Sequence, residues 1–417
     1  MAIIKDINYN KKNSPIFFVS FFLYLIPIAL ITGPFLPDLF CTISIILFII
    51  FFLKKSYNIL TNKIIFILLL AWLYFFCRSI FYGDIEIILR TFFYIRFILL
   101  AVCIAYCHQI NKNFQHYFLF SIIVSLFIVL ISGYIEFFFK YNPFRSIGYL
   151  NNRLSGIFGD EMIIGSFLSV LVPLSSALLI SYNKKILHYL SLFLIISGLI
   201  LVLVSQERAA TVIICIFIIC YFLFLIFFKN KKYCIDFFVT LFIFFFVISN
   251  NTSVKNRFLT IIEAKNIISL EQSNHAGHYL TAYKMFKDNI IFGQGPRTFR
   301  ILCEKEEFST KNGCSTHPHN FFLQLLAETG LVGSFLFYIF YLYVLSYSIK
   351  LIFSFKHPNY INHFSKSFFL CILVLAEFFP LVPSGNFFVN WLNIRLFLPI
   401  GFLVAQIIIK KKNINAI

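Results

Sequence analysis

The stretch CSTHPHNFFLQLLAETG, residues 314–330, gathers two histidines, an asparagine, a glutamine and a glutamate directly ahead of an unbroken apolar run. Imidazole is a side chain able to accept a proton near neutral pH, and His319 is expected at the first turn of a helix beside the membrane surface. Ser315 and Thr316 suit helix N-caps, Pro318 a first helical position, and Gly330 a helix end. Such a helix carries His319, Leu323 and Leu326 on one side. Asn320, Gln324 and Glu328 recur at spacing of four as a separate polar stripe. One histidine beside a membrane is often an ordinary interfacial residue, and what changes its weight is the company it keeps.

That company is arginine. The turn SQERAA puts Glu207 and Arg208 at the end of a span that otherwise has no charge, where a charged pair needs a task or a partner. NNRLSGIFGDE repeats the arrangement with Arg153, Asp160 and Glu161 at the mouth of another span. Arg78, Arg90, Arg96 and Arg395 lie within apolar runs, toward the same leaflet, and Glu377 is an acid inside a span, expected to pair with one of them. A guanidinium matches two phosphate oxygens at once, so the shared target implied is a lipid-linked phosphate or diphosphate. In FGQGPRTF, the glycines ahead of a helix near Arg297 are able to expose N–H groups to an anion, although a bare GxG is more often a simple turn.

These residues hang on a greasy frame. The chain has 417 residues, 60% of them hydrophobic and 12% charged, with 59 Phe and a mean hydropathy of +0.87. That is well outside the soluble range. Apolar runs long enough to cross a bilayer recur about twelve times, near 15–31, 36–53, 64–82, 87–107, 117–139, 161–181, 187–204, 209–228, 234–249, 331–349, 367–383 and 391–409. The fold class expected is an all-α, polytopic integral membrane protein forming a single membrane domain over 1–417. The first run, lacking a small-residue cleavage site, reads as a retained helix rather than a signal peptide.

The net charge of +18 does not point to nucleic acid, because the basic residues are dealt out in small groups between spans. Alternate connections carry lysine; TGPFLPD, YGDIE and PLVPSGNFFVN carry neither lysine nor arginine. The positive-inside rule then places both termini in the cytoplasm and the polar stretches outside. Those are a short loop at 140–161 and a long helical one at 250–330. Within the latter, Tyr279, Ala282, Tyr283 and Phe286 recur at helical spacing. Cys303 and Cys314 are its pair of cysteines, either a disulfide in an oxidising compartment or two free thiols. No cysteine or histidine spacing suggests zinc, so no metal and no cofactor are expected.

SQERAA, FGQGPRTF and above all HPHNFFLQLLAETGLVG, in that order, resemble the O-antigen ligase and polymerase family of bacterial envelope glycosyltransferases. The resemblance is detailed over about 150–340. It implies a glycan donor on undecaprenyl diphosphate, in a bacterial inner membrane, with the active site at its periplasmic face. The acceptor implied is a sugar of the lipid A core for a ligase, or a carrier-linked glycan for a polymerase. His319 matches the family histidine and is expected to be catalytic. Arg208 matches the arginine after a span, Arg297 is the looser match to a loop arginine, and with Arg153 they are expected to hold the diphosphate. His317, Asn320, Gln324, Glu161 and Glu207 are secondary candidates.

A carboxylate metal cluster of the DxD kind is absent from the sequence, so metal-independent transfer is expected. A transporter of lipid-linked sugars is the rival from another class, but such proteins show paired halves with midplane sites, and no internal repeat is visible here. Between ligase and polymerase the residues decide little; the histidine motif and the long late loop favour ligase.

Overall fold

The computed structural model describes residues 14–145, 153–182, 184–263, 274–354 and 358–414. Parts of both polar loops, 146–152 and 264–273, lie outside the described residues. The protein is all-α: among the described residues there is no strand. Ten helices there are long and apolar enough to cross a membrane: Phe35–Leu60, Lys63–Tyr82, Ile85–Ile110, Phe114–Phe139, Ile164–Tyr182, Lys185–Val204, Arg208–Lys229, Tyr233–Asn250, Phe321–Ser354 and Asn390–Lys410. The shorter apolar helix Pro15–Ala29 and the helix Pro358–Glu377 occupy the two other expected positions. The latter stops at Glu377 instead of near 383, where Pro380 and Pro383 remove helix donors.

Burial sorts the spans. Ile164–Tyr182 and Asn390–Lys410 have 83% of their apolar windows buried, Tyr233–Asn250 only 6%. The first two are therefore the centre of the bundle and the third its lipid-facing edge. Exposed Phe17, Phe66, Phe81, Phe242 and Phe335 show that the outer surface is as apolar as the interior, as a protein solvated by lipid requires.

Local rules explain the breaks. Asn62 and Asp84 cap the helices that follow them, their side chains accepting from Ile64 N at 3.0 Å and Ile87 N at 3.0 Å. The run expected as one span at 87–107 is two helices, Ile85–Phe92 and Ile95–Ile110. Trp72 Nε1 donates to both Thr91 O and Phe92 O at 3.1 Å, taking carbonyls that the interruption frees.

The chain alternates between two ends of the bundle. At one end lie the turns 205–207 and 378–389 and the polar stretches 251–263 and 274–320; at the other lie the lysine-bearing turns around 53–55, 184–185 and 229–232. The polar segment is folded onto the membrane domain. Its helix Asn274–Asp288 packs Ala282 and Met285 with Phe299, Leu302, Phe308 and Ala327. The expected aromatic spacing does mark this helix, yet Tyr283 is exposed, and the buried face is Gly277, His278, Thr281, Ala282 and Met285. Small residues allow close approach: a Cβ on Gly277 would lie 2.4 Å from Lys311 O, and Thr310 Oγ1 donates to Gly277 O at 2.9 Å.

A bracket joins this segment to the span beneath. Phe321–Ser354 breaks at Gly330 (φ 65°, ψ −167°), where the sequence places a helix end. The carbonyls freed above the break accept from the GQG turn, Gln294 N to Ala327 O at 3.0 Å and Gly295 N to Glu328 O at 2.8 Å. Below it, Leu331 N and Val332 N donate to Ile290 O and Ile291 O at 2.9 and 3.2 Å. A Cβ on Gly293 would meet Gly330 N at 2.4 Å, so only glycine fits there. The turn considered for anion binding thus uses its N–H groups to dock a helix.

Candidate functional site

Beside that bracket a cavity of about 630 Å³ opens at the polar end of the bundle. His317, His319, Arg153, Arg208, Arg257 and Arg395 line it, together with Glu161, Glu207 and Glu377. Four helices begin at its wall, at Ile164, Arg208, Phe321 and Asn390.

His319 is not on a helix. The cap is Asn320, whose Oδ1 accepts from Leu323 N at 3.0 Å, so the helix starts at Phe321 rather than at Pro318. The expected stripe survives as cap plus helix, Asn320, Gln324 and Glu328; the histidine precedes it. His319 adopts φ 55°, a left-handed conformation that disfavours a non-glycine residue by about 1–2 kcal/mol. Its neighbours hold it there. Ser384 N donates to His319 O at 2.9 Å, Phe321 N donates to Ser384 Oγ at 2.7 Å, and Asn320 Nδ2 donates to Pro380 O at 2.8 Å. Gln206, on the opposite wall, is likewise at φ 59°.

Three imidazoles cluster. The His319 ring centroid lies 4.1 Å from that of His317 and 5.0 Å from that of His278. Burial first, and His319 second, push His317 down from 6.5 to about 3, so it is neutral at pH 7. Its Nδ1 is 2.9 Å from Thr316 Oγ1.

Glu207 explains its own presence. It accepts from Gly165 N at 2.6 Å, Ser166 N at 2.9 Å and Ser166 Oγ at 2.8 Å, capping the helix Ile164–Leu179 with a carboxylate. Burial pushes its acid upward, while those bonds and Arg153 oppose the rise. A Cβ on Gly165 would come within 2.9 Å of that carboxyl. Across the turn, Arg153 Nε donates to Ser205 O at 3.2 Å and Arg208 Nη2 to Arg257 O at 2.9 Å. Deeper in, Arg395 Nη2 lies 3.4 Å from Glu377 Oε2 with both side chains buried, the pairing expected for Glu377. Arg395 lines the cavity; its Nε and Nη1 are buried without a hydrogen-bond partner among the described residues, and its guanidinium lies over the Trp391 ring, 5.3 Å from the centroid.

The other predicted residues stand elsewhere. Arg297 does not line the cavity; at φ 64° its Nη1 donates to Phe388 O at 3.0 Å. Burial pushes its guanidinium down to about 10, still a cation at neutral pH. Its N and Phe299 N donate to Glu328 at 2.9 and 3.1 Å. Gln324 spans Asn386 Oδ1 at 3.0 Å and Phe387 N at 2.9 Å. Arg78 reaches Phe292 O at 3.2 Å and Gly293 O at 2.7 Å. Arg90 pairs with Glu86 at the surface and Arg96 with Asp38 at 3.0 Å. Of the four intramembrane arginines, only Arg395 reaches the cavity. Cys303 and Cys314 form a disulfide with Cα atoms 4.9 Å apart, just ahead of the histidine turn.

Sequence reasoning missed Arg257 and His278. Arg257 sits on the helix Thr252–Glu263, in a stretch without a motif; His278 sits on a helix read from its aromatics.

Residues 192–338 match the model of a protein family described as O-Antigen ligase. This stretch is similar to the O-antigen ligase family. It spans roughly a third of the chain and contains the Ser205–Arg208 turn, Arg257, His278, His317 and His319, while Arg153 and Arg395 lie outside it. No curated protein matches. This similarity and the membrane helices support a multi-pass membrane protein that acts in glycosyl transfer during surface-polysaccharide assembly.

Proposed function

We propose that the cavity binds a glycan linked to undecaprenyl diphosphate and transfers it to a hydroxyl of the lipid A core, at the periplasmic face of an inner membrane. The observation that carries the reading is the meeting of His319 with Arg153, Arg208, Arg257 and Arg395 around one volume. In the reaction an acceptor oxygen attacks the anomeric carbon, the bond from that carbon to the diphosphate oxygen breaks, and the hydroxyl proton passes to His319. The undecaprenyl diphosphate leaves as an anion held by the guanidiniums. Neutral His317 packed on His319 adds no positive charge beside the base, which favours proton acceptance. The disulfide next to the histidine turn agrees with a cavity outside the cytoplasm.

The test is reconstitution of the purified protein with the carrier-linked glycan, with and without lipid A core. Product that requires the core supports the ligase assignment; a ladder from donor alone converts it to polymerase. Because the arginines supply the positive charge that a divalent ion would, transfer is expected to persist in excess chelator. Loss restored by magnesium overturns that part.

A further inference from the structure

We propose that a second site, at the opposite end of the same helices, binds the phosphate headgroup of an anionic membrane phospholipid. The turn between Lys185–Val204 and Arg208–Phe224 lies on the histidine cavity, so the far ends of these helices are about 30 Å away. There a cleft of about 260 Å³ is lined by Lys184, Lys185, Lys229 and Lys232. That volume suits a headgroup better than a glycan.

The cleft is electrostatically one-sided. No carboxylate lines it, and the acid beside it, Asp236, is already 3.1 Å from His188 Nε2. The remaining polar groups of its wall serve one another, Ser191 Oγ standing 3.2 Å from Tyr221 OH. Lys229 closes a π-helical turn, Leu225–Lys229, a wide turn that recurs at functional positions. That residue is half-buried while Lys184, Lys185 and Lys232 are exposed, and four lysines around one cleft attract an anion.

The surroundings say which anion. Leu179, Leu187 and Leu225 form the apolar part of the wall. Ile186 and Phe227 beside it are 70% and 76% exposed, facing the lipid. A phosphate with acyl chains satisfies both the lysines and these flanks; a free phosphate satisfies only the lysines. Basic pockets between membrane helices are suited to anionic headgroups.

Native mass spectrometry of the full-length protein in detergent, titrated with phosphatidylglycerol or phosphatidylcholine of matched chains, tests the proposal. Phosphatidylglycerol is expected to be retained preferentially. Lys229→Gln with Lys232→Gln should weaken its retention by about tenfold or more, and Lys229→Arg with Lys232→Arg should preserve it. Lys54→Gln with Lys55→Gln, in another lysine turn at the same end, should leave it unchanged. Equal retention of phosphatidylcholine by the unaltered protein overturns the proposal whatever the variants do. So does equal loss in the Lys54/Lys55 variant, which reduces the effect to general surface charge. Stripping of the bound lipid by millimolar inorganic phosphate overturns it too, making the cleft a free-phosphate site.

Discussion

The wall of the histidine cavity and the bracket around Gly330 are built from the same residue types, arginine, glutamate and polar amides, and stand side by side. In the bracket, Arg78, Arg297, Gln324 and Glu328 all end on the backbone of another segment. On the cavity wall, Arg395 keeps two buried nitrogens without a hydrogen-bond partner among the described residues, and His319 is held by its main chain in a strained turn. In the bracket such closure on backbone stabilises the fold; on the cavity wall Arg153 and Arg208 also donate to backbone, at Ser205 O and Arg257 O, while lining the volume. A polar group whose backbone is fixed while its side chain faces a volume is available for chemistry.

That contrast is testable by its extremes. His319→Ala should give the largest effect, lowering transfer by about 10²- to 10⁴-fold while the thermal midpoint in detergent stays near that of the unaltered protein. A parallel fall in stability would move His319 to the structural side. Arg257→Ala comes next: one charged contact to the donor is worth about 10- to 100-fold in kcat/KM for the donor, with the acceptor KM unchanged. Near-normal donor kinetics would remove Arg257 from the anion site.

Glu328→Gln probes the bracket. Replacing one accepting oxygen by a donor, opposite Arg297 N and Phe299 N, should destabilise by about 1–3 kcal/mol. The protein that remains folded should still transfer, so activity normalised to the folded fraction separates the two regions.

The smallest expected effect concerns His317. Folding lowers its pKa from 6.5 to about 3. As pH falls below about 6.5 the unfolded chain therefore takes up a proton that the folded chain refuses until about 3, and stability is lost across that window. His317→Gln should show a smaller drop in thermal midpoint than the unaltered protein between about pH 7 and pH 5. An identical slope would mean that His317 is not held neutral.

The bundle itself was legible because each span announces itself by apolar length and the polar stretches by their interruption of it. Arg208, Arg153, His317 and His319 were legible because they sit in polar turns at span ends. Arg297 has a turn that looks like theirs, and its tertiary contacts, backbone N to Glu328 and guanidinium to Phe388 O in the turn 378–389, set it away from the cavity lining. Arg257 could not be found by pattern. Nothing in NTSVKNRFLTIIE marks a position that long-range folding alone carries to the cavity. The start of the histidine helix was placed at Pro318, within a stretch rich in cap residues; the competition went to Asn320, which caps Leu323 N while its amide holds Pro380 O.

The four helices that begin at the cavity have one more effect. Each presents the positive pole of its peptide dipoles at that end, equivalent to about half an elementary charge apiece; the Glu207 carboxylate lies on the start of Ile164–Leu179, and Asp38 accepts from Asn390 Nδ2 at the start of another. The main chain thus contributes a field comparable to that of an arginine or two, and no side-chain replacement deletes it. The attraction for an anion is shared between scaffold and side chains, and the arginines determine where within that field the anion comes to rest.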